Sequence, residues 1–152
     1  MSLDRLDRRI LLILQGDGRI PAVELAERVG LSPTSTGERL KRLQKEGYID
    51  GFGVRLNAGR LGFGLLIFVE VLLDKTTPDI FDRFADAARK APQVLECHMV
   101  AGGFDYLIKT RVSDMAAYRR FLGDVVLGFP GVRETRTYTV MEEVKADGIL
   151  PL

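Results

Sequence analysis

Gly30-Leu31-Ser32-Pro33-Thr34-Ser35-Thr36-Gly37-Glu38-Arg39-Leu40-Lys41-Arg42-Leu43 is the stretch on which the fold of the first third of the chain turns. Ser32 is a good N-cap, because its hydroxyl can accept a free N–H of the first helical turn. Pro33 then takes the first helical position, where its missing N–H costs nothing. Gly47, after Glu46, supplies a left-handed stop. At about 100° per residue, Thr36, Leu40 and Leu43 share one face. Ser35, Glu38, Arg39 and Arg42 are expected on the opposite face, flanked by Lys41 and Lys45. Guanidinium forks presented outward suit guanine edges and phosphates in a major groove. A solvated face on an ordinary surface helix has the same pattern.

The residues before it separate these readings. Leu3, Leu6, Ile10, Ile13 and Leu14 form one apolar stripe, so Leu3–Leu14 reads as an amphipathic helix. Asp4, Arg5, Asp7, Arg8 and Arg9 are expected on its solvent side. Gly16-Asp17-Gly18 ends it. Pro21 opens a second helix that turns Leu25, Ala26 and Val29 inward and stops at Gly30. Three short helices, with a tight turn at Val29–Ser32 before a basic third one, make the pattern of a helix-turn-helix. Gly47 to Val54 reads as a strand or wing leaving this domain, and 57–64, rich in glycine, as a hinge.

From Leu65 the period changes. Leu65–Leu73 is a β-type run. Pro78 opens a helix with Phe81, Phe84, Ala85 and Ala88 inward, ending before Pro92. Val94–Ala101 and Phe104–Val112 read as strands joined by a two-residue Gly102-Gly103 hairpin. Ser113 caps a helix with Tyr118, Phe121, Leu122 and Val125 inward, and Val132–Val144 is a last strand. The order βαββαβ is ferredoxin-like. In the first strand Ile67, Val69 and Val71 face one way and Leu66, Phe68 and Leu72 the other. A sheet apolar on the face its helices leave open needs a partner, which predicts a dimer.

Composition narrows the class. The chain has 152 residues, 46% hydrophobic and 28% charged, with a net charge of +1. Residues 1–60 hold 11 Lys and Arg against 8 Asp and Glu, and the remainder 11 against 13. The basic front half suits nucleic-acid contact at one end. No apolar run reaches bilayer length and no secretory signal opens the chain, so a cytoplasmic protein with no membrane partner is expected. One Cys and one His exclude a disulfide framework and make a metal site unexpected. Cys97 and His98, as strand neighbours, point to opposite faces and cannot act as a dyad. No phosphate loop or nucleophile elbow is present, and an enzyme is not expected.

These residues bring the chain close to a family. Leu3-Asp4-Arg5-Leu6-Asp7, Asp17-Gly18-Arg19-Ile20 and Gly30-Leu31-Ser32-Pro33-Thr34 resemble the DNA-binding domain of the Lrp/AsnC regulators. Phe104–Val112, Pro130-Gly131-Val132, Glu96-Cys97-His98 and Arg136–Lys145 resemble their amino-acid-sensing domain. The resemblance implies an α+β protein with a winged helix-turn-helix domain at 1–50 and a linker at 51–64. A ferredoxin-like sensing and dimerisation domain at 65–145 and a tail at 146–152 complete it. It implies a cytoplasmic transcriptional regulator of amino-acid metabolism that binds double-stranded DNA and forms homodimers assembling further, as far as octamers. It implies an amino-acid effector between subunits, leucine first and proline second; a ligand-independent architectural role is the alternative.

DNA contacts are then expected from Ser32, Thr34, Ser35, Thr36, Glu38, Arg39, Lys41, Arg42 and Lys45. An amino acid needs N–H donors for its carboxylate, an acceptor for its ammonium and a side-chain pocket. Gly102, Gly103 and Phe104 can donate. Asp105 or Asp114 can hold the ammonium. Tyr106, Met115, Tyr118, Thr135, Thr137, Tyr138 and Thr139 complete the expected site. A plain hairpin beside a carboxylate at a helix N-terminus fits the same residues. Three departures from the family pattern stand out. Gly37 takes the place of a larger apolar residue, with close packing of the second helix as the expected compensation. Gly103 takes the place of an acidic residue, and a basic N-terminal tail is missing.

Overall fold

The computed structural model describes residues 2–146 and 148–152. The chain divides into two compact units: residues up to Arg55 together with Val144–Leu152, and Leu56–Glu143.

The first unit holds α1 (Arg5–Gly16), α2 (Ala22–Val29) and α3 (Pro33–Lys45). Asp4 caps α1 rather than joining its solvent face. Its carboxylate accepts the Asp7 N–H at 2.8 Å, and Asp7 accepts the Asp4 N–H at 3.1 Å. This reciprocal capping box satisfies two donors that a helix end otherwise leaves free. Gly30 ends α2 at φ 75°, a left-handed conformation that costs glycine nothing. Ile10, Leu25, Val29 and Leu43 meet in the core beneath the three helices. Leu150 exchanges two hydrogen bonds with Gln15, so the C-terminal residues expected as a tail belong to this unit.

Residues 47–54, expected as a strand or wing, form no strand among the described residues. Gly47 turns the chain at φ 75°, and Ile49 packs against the first core. Among the described residues the ladders join only strands within 65–139, and a strand needs a ladder.

The second unit runs β1 (Leu65–Leu73), α4 (Pro78–Lys90), β2 (Glu96–Met99), β3 (Tyr106–Val112), α5 (Met115–Asp124), a 3-10 turn (Val126–Gly128) and β4 (Val132–Thr139). The sheet order β2-β3-β1-β4, antiparallel throughout, is the ferredoxin-like order. Ile67, Val69, Val71 and Leu73 alternate onto the helix side and join Phe84, Tyr106, Ile108, Phe121 and Val126 in one core. Phe84 stacks on Tyr106 at 4.2 Å and meets Phe129 edge-on at 5.4 Å.

The opposite sheet face is less apolar than β1 alone suggests. Leu66 is already buried within the chain, and Phe68 and Leu72 are half-buried. Their neighbours across the sheet include Lys109, paired with Glu96, and Arg111, paired with Glu143. Burial of Phe68, Leu72 and Leu107 still leaves area to be covered.

Two turn readings are corrected. Neither Gly102 nor Gly103 has a positive φ, and the last ladder pair is Met99 with Tyr106, so the connection is a six-residue loop, not a two-residue hairpin. Primed two-residue turns require positive φ, which this loop does not use. The cap of α5 is Asp114, not Ser113: its Oδ1 accepts the Ala117 N–H at 2.7 Å.

Candidate nucleic-acid interface and ligand site

Helix α3 starts as its sequence dictates. The Ser32 hydroxyl accepts the Ser35 N–H at 3.2 Å, and Pro33 opens the first turn. Thr36 and Leu43 are buried. Thr36 is therefore removed from the expected DNA contacts: its hydroxyl donates to the Ser32 carbonyl at 3.0 Å, inside the unit. The exposed face carries Thr34, Glu38, Lys41 and Lys45.

Arg39 and Arg42 are not on that exposed face. Arg39 precedes the buried Leu43 by four residues, only about 40° round the helix. It therefore leans over the N-terminal end of α1. There Arg39 Nη1 donates to Asp4 Oδ2 at 2.6 Å and to Asp7 Oδ1 at 2.8 Å. Arg42 Nη2 donates to the same Asp7 oxygen at 2.5 Å. Asp7, expected on the solvent side of α1, is fully buried. Burial pushes its carboxyl up. Hydrogen bonds from Arg42, the Asp4 N–H and Arg39 outweigh that and hold it at about 2, against an ordinary 3.8. One buried carboxylate thus fixes two arginines of α3. The signal in the sequence was the Asp4–Asp7 spacing, which is that of an N-cap and its third helical residue.

The expected ligand residues divide into two groups. At one end of β3, Gly103 and Phe104 lie beside Glu70, Leu72, Glu134 and Arg136 around a cavity of about 20 Å³, room for a water molecule only. Asp105 next to them is engaged: its Oδ2 accepts the Leu73 N–H at 2.7 Å. Tyr106 is corrected outright. It is buried in the core, with its hydroxyl donating to the Phe81 carbonyl at 3.3 Å.

Beyond the other end of β3, Asp114 is the α5 cap, and its carboxylate also accepts the Ser113 hydroxyl at 3.1 Å. Tyr118 hydrogen-bonds Thr137, and the Thr139 hydroxyl reaches Met115 Sδ at 3.9 Å. Thr135, Thr137 and Thr139 pair with Val71, Val69 and Ile67, all on the helix side. Tyr138 pairs with Phe68 and faces the other way, next to Glu70. The seven residues of β3 separate Gly102–Phe104 from Asp114–Tyr118 by roughly 20 Å at strand rise. One chain does not bring them into one pocket.

One feature has no forerunner in the sequence pattern. An open apolar groove of about 900 Å³ runs between Leu56–Phe63 and α5, with Leu95, Val112 and Phe121 in its wall. On β2, His98 bonds Glu96 at 3.2 Å on the outer face, while burial raises the Cys97 thiol on the helix side. This parts them as strand alternation requires.

Known proteins match both units. Residues 3–50 match the family described as winged helix-turn-helix DNA-binding, and residues 66–150 the Lrp/AsnC ligand binding domain. The leucine-responsive regulatory proteins of Klebsiella pneumoniae and Escherichia coli K12 are each 55% identical over 144 residues, 95% of this chain and 88% of theirs. A transcriptional regulator from Neisseria meningitidis, solved as a complex with L-Met, superposes with a TM-score of 0.93 at 37% identity. It covers 99% of this chain and 97% of its own. An AsnC family regulator from Agrobacterium tumefaciens gives 0.93 at 30% identity, over 98% and 97% of the two chains. These relatives regulate transcription and are not enzymes. With a helix-turn-helix unit and a ferredoxin-like ligand-binding unit in that order, the chain belongs to the Lrp/AsnC family of DNA-binding transcriptional regulators.

Proposed function

We propose that the protein regulates genes of amino-acid metabolism by binding promoter DNA through α3, and that a small apolar amino acid, leucine first, modulates it from a site shared between subunits. The observation that carries the DNA part is the capped α3. It has Lys41 and Lys45 on its exposed face and Arg39 and Arg42 fixed at its flank by Asp7. The lysines suit phosphates and the arginines suit base edges or phosphates.

Support for the effector comes from the leucine-responsive relatives and from the Neisseria regulator solved with L-Met, a ligand with an unbranched apolar side chain. The split between Gly102–Phe104 and Asp114–Thr139 supports a site completed by a second copy. The half-buried Phe68, Leu72 and Leu107 support a sheet-to-sheet homodimer, with larger assemblies built on it. Among the described residues no helix is long and apolar enough to cross a membrane, which fits a cytoplasmic regulator.

Gel retardation of promoter fragments with and without each of the twenty amino acids tests the reading. Retardation altered by one amino acid at millimolar levels supports it. Retardation that no amino acid alters, in a protein that also binds none by calorimetry, leaves an architectural DNA-binding protein.

A further inference from the structure

Both arginines of α3 are already paired in the protein without DNA, and two of the carboxylates that hold them, Asp4 and Asp7, are not equivalent. The Asp7 side chain is 1% exposed and touches both guanidiniums, so no phosphate can take its place. The Asp4 side chain is 50% exposed; one of its oxygens caps α1 and the other meets Arg39 at 2.6 Å. It borders an open cavity of about 460 Å³ shared with Ser35, Glu38, Arg39 and Arg42. A phosphate offers a guanidinium the same pair of anionic oxygens as a carboxylate. A DNA phosphate entering that cavity therefore meets Arg39 where Asp4 stands.

We infer that Asp4 is a built-in competitor for the DNA backbone: it occupies the Arg39 guanidinium that a phosphate takes over in the complex, while Asp7 keeps both arginines aimed at that place. The inference rests on the DNA-binding role proposed for α3. Each phosphate contact through Arg39 first opens an ion pair, and the freed Asp4 carboxylate recruits a cation of its own. The cation release that drives binding is reduced by nearly one per contact. The protein then binds duplex more weakly, and with a shallower salt dependence, than its basic residues imply.

The test is Asp4→Ser in the full chain, measured on a random-sequence duplex across a salt series. Serine retains a hydroxyl to cap α1, so the helix keeps its start. Asp4→Asn, an equally good cap closer in shape, repeats the measurement should serine disturb folding. Affinity should rise about two- to fivefold, the range that an exposed ion pair holds back. The slope of log affinity against log salt should steepen by about 0.9. In an Arg39→Ala background the same change should have far less effect on both. An unchanged slope and affinity in a wild type that binds DNA overturns the competition. So does a gain that persists in full without Arg39, because the charge then acts through some other group. A wild type that fails to bind any duplex removes the DNA-binding role itself, and this inference with it.

Discussion

Asp105 Oδ2 accepts the Leu73 N–H at 2.7 Å, where β1 ends. The Asp105 N–H in turn donates to the Val71 carbonyl at 3.0 Å. This residue, a natural candidate for holding an effector ammonium, thus ties the 100–105 loop to the end of β1. Asp105→Ala should leave the Leu73 N–H without its acceptor and cost about 1–3 kcal/mol in urea unfolding. A loss below about 0.5 kcal/mol together with an abolished amino-acid response would return the carboxylate to the ligand.

Asp7 gives the first unit a definite acid limit. Its folded carboxyl, at about 2, lies below the ordinary 3.8. A depressed pKa adds stability that is complete above about pH 4 and disappears as pH falls through about 2. Linkage puts that contribution at about 2 kcal/mol. Asp7→Asn should flatten this limb of the stability-against-pH curve. At neutral pH it should cost roughly 2–4 kcal/mol, since two largely covered guanidiniums lose their common partner. Chemical unfolding at a series of pH values reads both effects. A wild-type limb indistinguishable from the variant's between pH 4 and 2 would contradict the assignment.

Two glycines should respond with opposite signs. Gly131 sits at φ 75°, and a Cβ there would stand 2.7 Å from Ile80 Cγ2. Gly131→Ala should destabilise by about 1–3 kcal/mol, from left-handed strain plus displacement of a packed isoleucine. Gly37 lies inside α3 with nothing within 4 Å of its Cβ direction, so the expected close packing of α2 against it is absent. Gly37→Ala should therefore stabilise by up to about 1 kcal/mol. Thermal melts of the two variants should move apart, and a destabilising Gly37→Ala would mean that the open space is filled in solution.

The elements of this fold were legible where one physical signal decided each of them. Ser32-Pro33 fixed the start of α3, and the β-type run Leu65–Leu73 gave β1 its full extent. The pattern βαββαβ gave the sheet order because the chain can close these elements compactly in few ways. Contacts between elements were less legible. Arg39 looked solvent-facing on a helical wheel, yet a charge beside a buried stripe can turn inward when a carboxylate waits there. That carboxylate, Asp7, read as solvent-exposed because sequence alone does not distinguish a paired buried charge from a free one. Tyr106 followed the same logic in reverse: an aromatic placed in a ligand site proved to be the partner of Phe84. The residues expected to hold a ligand were legible least as one site, since their two groups stand at opposite ends of β3.

The exposed loop at Gly102-Gly103 offers a clean test of the effector site. Neither glycine has a positive φ, and a Cβ at either meets nothing within 4 Å. Gly103→Val should therefore leave the unliganded melting temperature within about a degree of wild type, as surface changes away from packed contacts do. A ligand that binds only the folded protein raises stability by about 2.7 kcal/mol at a hundred times its dissociation constant. Leucine, methionine and proline at millimolar levels should give such a rise in wild type for whichever is the effector. Gly103→Val should reduce that rise, because its side chain intrudes on the backbone N–H groups expected to hold the ligand carboxylate. Met115→Ala, on the other group of residues, should reduce it as well if two subunits complete one site. A Gly103→Val protein that melts normally and responds fully would move the carboxylate site away from this loop. If Met115→Ala alone weakened the response, the site would lie at the α5–β4 edge within one subunit.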